Sequence, residues 1–244
     1  MNRREDLRQA TTPEGWAWLS ESVAAVAGNP AAIRGRFPAA GRRVGRGVLP
    51  GATPPGGPLF AWTVDDAARA LLLDALGTRA GEELEALYRH GDTAERRAVL
   101  RWIGWLPDGP APPGVAAGAI CADALRANDP RLLAAALGPW AVRHLDGPVL
   151  RQGVLKCVFT GVPLAGLEGL AERADAELAR MLAAYVHERV AAGRDVPPDV
   201  WPFIDRHPPA AELSAIAAEL DHPTEQRRRA ARAALAGRQS STVR

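Results

Sequence analysis

Hydrophobic residues recur along most of this chain at the three- and four-residue intervals that line one side of an α-helix. Val64, Ala68, Leu71, Leu72 and Ala75 stand at i, i+4, i+7, i+8 and i+11, and Val99, Trp102, Ile103 and Leu106 at i, i+3, i+4 and i+7. Leu178, Met181, Leu182 and Tyr185 form a third stripe, and Leu213, Ile216, Ala217 and Leu220 a fourth. Period-two alternation of β-branched residues is scarce, whereas alanine, the strongest helix former, is abundant. The pattern predicts an all-α fold. Start signals agree: Asp92, Asp129, Asp146 and Asp221 each precede an apolar stripe, mostly with proline close behind. Thr63 with Asp66 three residues later predicts a capping box, with Asp65 and Asp66 in the first turn where the helix dipole favours them. Between residues 80 and 160 the spacing predicts helices of roughly 10–15 residues in an irregular antiparallel stack or bundle of HEAT-like α-solenoid character.

One stretch breaks this rhythm. Residues 41–62, GRRVGRGVLPGATPPGGPLFAW, hold too much glycine and proline for regular structure and predict a long loop. Loops of that length inside a compact fold usually carry function or lack order. No acidic residue occurs from Ser22 to Val64, while Arg34, Arg36, Arg42, Arg43 and Arg46 all lie there. The expected organisation is a tail over 1–12, one helical domain over 13–220, and a basic helix with a frayed end over 221–244.

Composition narrows the chemistry. The 244 residues are 47% hydrophobic and carry 30 Lys and Arg against 28 Asp and Glu, a balance that argues against a dedicated nucleic-acid binder. Lys156 is the only lysine. Cys121 and Cys157 are the only cysteines and form no CxxC, so the default is a reducing cytoplasm without a metal centre. The start lacks the apolar stretch of a signal peptide, and no run reads as a membrane span. The arginine segment is the best candidate anion site, with Arg42, Arg43 and Arg46 as forked donors and Lys156 as an extra cation. The bland reading pairs those arginines with acids elsewhere, such as Glu21, Asp65 or Asp66. Lys156–Cys157 could equally be plain core, and Arg227, Arg228, Arg229 and Arg232 a solvated helix face. Five histidines show no ligand spacing, and no cofactor is expected.

Several blocks together resemble the EboA family of bacterial proteins: FPAAGRRVGRG (37–47), TVDDAARALLL (63–73), LYRHGDTAERRAVLRWI (87–103), DALRANDPRLLAAALGPWAVRHLD (123–146), RQGVLKCVFTGVPL (151–164) and RADAELARMLAAYVHERVAAGRDVPPDVW (173–201). The resemblance implies a mostly helical soluble protein with no established reaction. Family members are encoded beside a UbiA-type membrane prenyltransferase, a sugar-phosphate-cyclase-like enzyme, a TIM-barrel isomerase-like protein, a TatD-like hydrolase and a phosphodiesterase-like protein. The implied role is a noncatalytic accessory protein of a membrane-linked secondary-metabolite or export pathway. It would be cytoplasmic, or peripheral at the inner membrane face, and would hold an anionic intermediate. Its partners would be the other cluster proteins. Two rival readings stand beside it. One is an enzyme using Asp65 or Asp66 with Lys156, although the DDxxD spacing of diphosphate-binding terpenoid enzymes fails after Asp66. The other is a protein–protein docking module.

Overall fold

The computed structural model describes residues 3–51 and 54–242, which form fifteen α-helices and no strand. The first six are α1 (Arg3–Ala10), α2 (Pro13–Gly28), α3 (Ile33–Val44), α4 (Val64–Asp74), α5 (Ala80–His90) and α6 (Thr93–Gly104). There follow α7 (Ala117–Ala124), α8 (Pro130–Ala136), α9 (Pro139–His144), α10 (Gly147–Thr160) and the short α11 (Leu170–Arg173). The chain closes with α12 (Ala176–Ala191), α13 (Trp201–Arg206), α14 (Ala210–Ala218) and α15 (Glu225–Thr242). Among the described residues no helix is long and apolar enough to cross a membrane.

Packing runs in chain order: α2 on α3, α3 on α4, α4 on α6, α6 on α8, α8 on α10, α10 on α12, and α12 on α13, α14 and α15. Helix lengths from 4 to 18 residues leave no recurring unit. The all-α expectation is met. α4 is the helix the others surround, with α1, α2, α3, α5 and α6 all against it. Its stripe predicts one buried face, yet Asp65, Asp66 and Arg69 are buried as well.

Local signals placed most starts well. Asp92, Asp129 and Asp146 cap α6, α8 and α10, accepting from the backbone N–H groups of Glu95, Arg131 and Val149. Asp221 differs: it ends a 3₁₀ turn, and α15 begins four residues later. Pro223 has no N–H to give, and the turn closes instead through Thr224 N–H donating to His222 Nδ1 at 3.1 Å. The expected N-terminal tail is α1 from residue 3 onward, docked on α4 through the fully buried Leu7. A single anchoring leucine makes no stripe, so periodicity could not reveal that helix.

The C-terminal helix is likewise attached. Ala230, Ala231 and Ala234 are buried, and α15 packs on α12. Arg227 donates Nε–H to Glu219 Oε2 at 2.7 Å, and His187 Nε2 lies 3.2 Å from Oε1 of the same carboxylate. Arg228 and Arg232 pair with Glu225, and Arg238 with Asp205, so much of the basic run is occupied within the chain. The Arg227 hydrogen bond holds the Glu219 carboxyl below the ordinary glutamate range, with partial burial opposing and His187 assisting. A carboxylate with a lowered folded pKa stabilises above its unfolded value of about 4.3 and loses that contribution as pH falls through the folded value. Glu219→Gln should therefore lower the melting temperature at pH 7, with the gap to wild type closing below about pH 4, as thermal melts across pH would show.

Candidate functional site

Asp65 and Asp66 open α4 at 1% and 0% exposure, so each charge needs a partner. Thr63 is the N-cap: its Oγ1 accepts the Asp66 N–H, and its own N–H donates to Asp66 Oδ2 at 3.3 Å, completing the capping box. Its hydroxyl donates to Asp65 Oδ1 at 2.7 Å. One turn on, Arg69 donates Nη1–H to Asp65 Oδ2 at 2.5 Å and Nε–H to the Phe37 carbonyl at 3.0 Å. Asp66 takes two arginines from α6. Arg97 Nε–H reaches both of its oxygens at 3.1 Å, and Arg101 Nη1 lies 3.1 Å from Oδ2. Four residues apart, Arg97 and Arg101 share one face of α6. Three guanidiniums thus meet two carboxylates in a nearly dry interior.

Arg101 also holds the loop. Its Nη1–H donates to the Ala61 carbonyl at 2.5 Å and its Nη2–H to the Leu59 carbonyl at 3.2 Å, with the guanidinium 5.6 Å from the Trp62 ring centre. The expected loop at 41–62 is shorter than predicted, because α3 runs to Val44 before Gly45 turns the chain at a φ of 93°. Residues 52 and 53 lie outside the described residues. The loop base is zipped by Leu49 N–H to the Trp62 carbonyl (2.7 Å) and Val64 N–H to the Gly47 carbonyl (2.8 Å). Its far side seats Phe60 on Gly166, where a Cβ would come within 2.3 Å of the ring.

Beneath the loop lies a cavity of about 600 Å³, closed by the end of α6, the α8–α9 corner and the turn at Leu164–Gly166. Leu49, Phe60, Trp62, Trp105, Leu137 and Pro139 contribute its apolar wall. Trp62 and Trp105 meet edge to face at 6.0 Å, and Trp105 is 45% exposed. Gly104 and Gly138 let α6 and the start of α9 touch: a Cβ on Gly138 would sit 2.9 Å from the Gly104 Cα. Arg101 and Glu168 are the charged side chains in the lining.

The sequence candidates scatter. Arg34 forks onto Glu83 at 2.9 and 2.8 Å, and Arg36 reaches Ser22 and Glu21, so two arginines of the acid-free segment are paired. Arg42, Arg43 and Arg46 are exposed at the end of α3 and join no ion pair among the described residues. Arg46 folds back over Gly41, and none of the three lines the cavity. Lys156 is half-buried on α10 and lines a separate groove with Leu125, Val149 and Phe159, apart from the arginines. Beside it Cys157 is buried, its thiol pushed up to about 12 by desolvation, as is that of Cys121. Asp65 and Asp66 are enclosed by their arginines and also line no part of the cavity, whereas the enzyme reading needs a carboxylate facing open space. Among the described residues no three His, Cys, Asp or Glu side chains group as metal ligands.

The residues that sequence reasoning passed over are Arg101, Trp62 and Trp105. A signal existed: Arg97 and Arg101 stand four apart on the same helix as the Val99 stripe, a spacing suited to a buried acidic pair. A family model described as "Metabolite traffic protein EboA" matches residues 55–205. That span includes Trp62, Asp65, Asp66, Arg101, Trp105 and Gly166, and it leaves out Arg42, Arg43, Arg46 and α15. No curated protein and no solved structure matches the chain.

Removing the Asp66 charge strands Arg97 and Arg101. Asp66→Asn should cost about 3–5 kcal/mol, read as a lower urea midpoint. Cys121 and Cys157 should resist iodoacetamide at pH 8 in the folded protein and react on unfolding, because burial keeps both as thiols.

Proposed function

The chain belongs to the EboA family, and from that membership we propose that it is a noncatalytic accessory protein of a membrane-linked secondary-metabolite pathway, holding an intermediate in the cavity under its glycine- and proline-rich loop. The observation that carries this reading is the cavity itself. Its volume of about 600 Å³ falls among ligand pockets, and its wall is apolar and aromatic with a guanidinium set into it. Such a wall shields a hydrophobic body from water while one fixed charge orients it. Arg42, Arg43 and Arg46 stand outside, close in sequence to Val48 at the cavity edge, where they raise the local concentration of anions or of an acidic membrane surface. Lys156 is no part of this site. The protein works in the cytoplasm, at the inner membrane face, beside the prenyltransferase and the other cluster proteins.

The enzyme reading is the weaker one. Asp65 and Asp66 have their oxygens filled by Thr63, Arg69, Arg97 and Arg101, and Lys156 belongs to another groove. The docking reading draws on that other groove between α7 and α10, where Phe159 is 61% exposed.

Titration with the neutral fluorophore N-phenyl-1-naphthylamine tests the cavity. It should bind with a blue shift and raise the melting temperature, since saturation at a hundred times Kd adds about 2.7 kcal/mol. Ala165→Trp fills the mouth from an exposed position and should abolish binding without unfolding the protein. A probe that fails to bind, or that ignores Ala165→Trp, would refute the cavity as a ligand site.

A further inference from the structure

The charge inside the cavity specifies its ligand more narrowly than an anionic intermediate of any kind. Resting on the reading above, we propose that the ligand is an apolar acid bearing one negative charge, with its head on Arg101 and its body along the apolar wall of the cavity, and that diphosphates are excluded.

Three observations lead there. The first is the imbalance of the buried cluster. Arg69 is neutralised by Asp65, but Arg97 and Arg101 share the single carboxylate of Asp66, leaving one positive charge in excess. Arg101 is 8% exposed and is the member of that cluster that lines the cavity, so a monoanion in the cavity would complete the balance.

The second is donor capacity. A guanidinium carries five N–H donors. Arg101 gives an Nη1 hydrogen to the Ala61 carbonyl and an Nη2 hydrogen to the Leu59 carbonyl, and its Nη1 lies 3.1 Å from Asp66 Oδ2 in an ion pair. Its Nε–H and the second Nη2–H make no bond among the described residues. The uncommitted donors are enough for the oxygens of one carboxylate.

The third is the sign and position of the other charged lining residue. Glu168, which is exposed, is the other charged side chain of the lining, so the wall offers a multiply charged ligand no second cation. A diphosphate would bring two or three charges to one partly committed guanidinium in an otherwise apolar wall, and the rest would be desolvated without compensation. Arg42, Arg43 and Arg46 do not reach the lining and cannot supply the missing cations there.

Displacement of N-phenyl-1-naphthylamine from the full chain tests this with four competitors: dodecanoate, dodecanol, dodecylammonium and farnesyl diphosphate. Dodecanoate should displace the probe at about tenfold lower concentration than dodecanol, the worth of one charge-assisted hydrogen-bonded pair. Farnesyl diphosphate should do no better than the alcohol, and the ammonium should be weakest. In Arg101→Gln the acid should fall to the level of the alcohol while the neutral probe still binds. The Arg42→Gln/Arg43→Gln variant should keep the acid preference. An acid no better than the alcohol, a diphosphate that outcompetes the acid, or a preference that survives Arg101→Gln overturns the inference and leaves the cavity reading intact. Loss of probe binding by the wild type itself removes both. Should Arg101→Gln not fold, the wild-type series decides, because an ammonium that displaces as well as the acid is incompatible with a cationic anchor.

Discussion

One fully buried carboxylate, that of Asp66, connects the start of the central helix to the loop that roofs the cavity. It accepts the Thr63 N–H that fixes where α4 begins, and it receives Arg97 and Arg101 from α6. Arg101 passes the constraint on by donating to two carbonyls of the loop. The dependence follows from how little the loop can do for itself. Backbone bonds close the base of the loop and its tight turns, but the Leu59 and Ala61 carbonyls take their donors from Arg101. An arginine anchored at one edge by a carboxylate is a rigid supplier of such donors, which a lysine, with a point charge on a flexible stem, would not be. Buried ion pairs add little net stability once desolvation is counted, but an unpaired partner is costly, so the network chiefly favours one arrangement of α4, α6 and loop over others.

What the sequence made legible was local. Capping by Asp92, Asp129 and Asp146 and the Thr63 box depend on contacts within a few residues, and the pattern states them directly. The identity of the cavity residues was not legible, because it depends on which helix lies beside which. Asp65, Asp66 and Arg69 read as the polar side of an amphipathic helix. They are interior because α1, α2, α3, α5 and α6 all pack against α4. Trp102 and Trp105 illustrate the same limit from the apolar side. Periodicity says that both cannot lie centrally on the Val99 stripe. Only the fold says that Trp102 is the buried one, its indole N–H bonded to Asp74 at 2.7 Å, and that Trp105 turns to the cavity edge.

The acid-free segment from Ser22 to Val64 takes on a more divided meaning in three dimensions. Arg34 and Arg36 find acids beyond the segment's own span, in α5 and α2, and serve as ties between helices. Arg42, Arg43 and Arg46 find none among the described residues, and they sit where α3 hands the chain to the loop. Their exposure sets the range of their influence. Charges in water act over roughly a Debye length, about 8 Å at physiological salt, and contribute to encounter more than to grip.

Arg101 stands at the opposite limit. Burial disfavours its charge, and Asp66 offsets only part of that cost while Arg97 adds to it, so its pKa is drawn below the usual guanidinium value. The group nonetheless stays charged, because a guanidinium keeps its proton in proteins. A permanent cation in an apolar wall acts through a far lower dielectric than the arginines outside, so the same side chain interacts more strongly within than at the surface. Burial alone thus sets the arginines of this chain apart in electrostatic strength. Arg42, Arg43 and Arg46 stand in solvent, and Arg101 is held nearly dry between Asp66 and the loop carbonyls. That division also explains why the residues most conspicuous in the sequence and the residue that shapes the cavity are different ones.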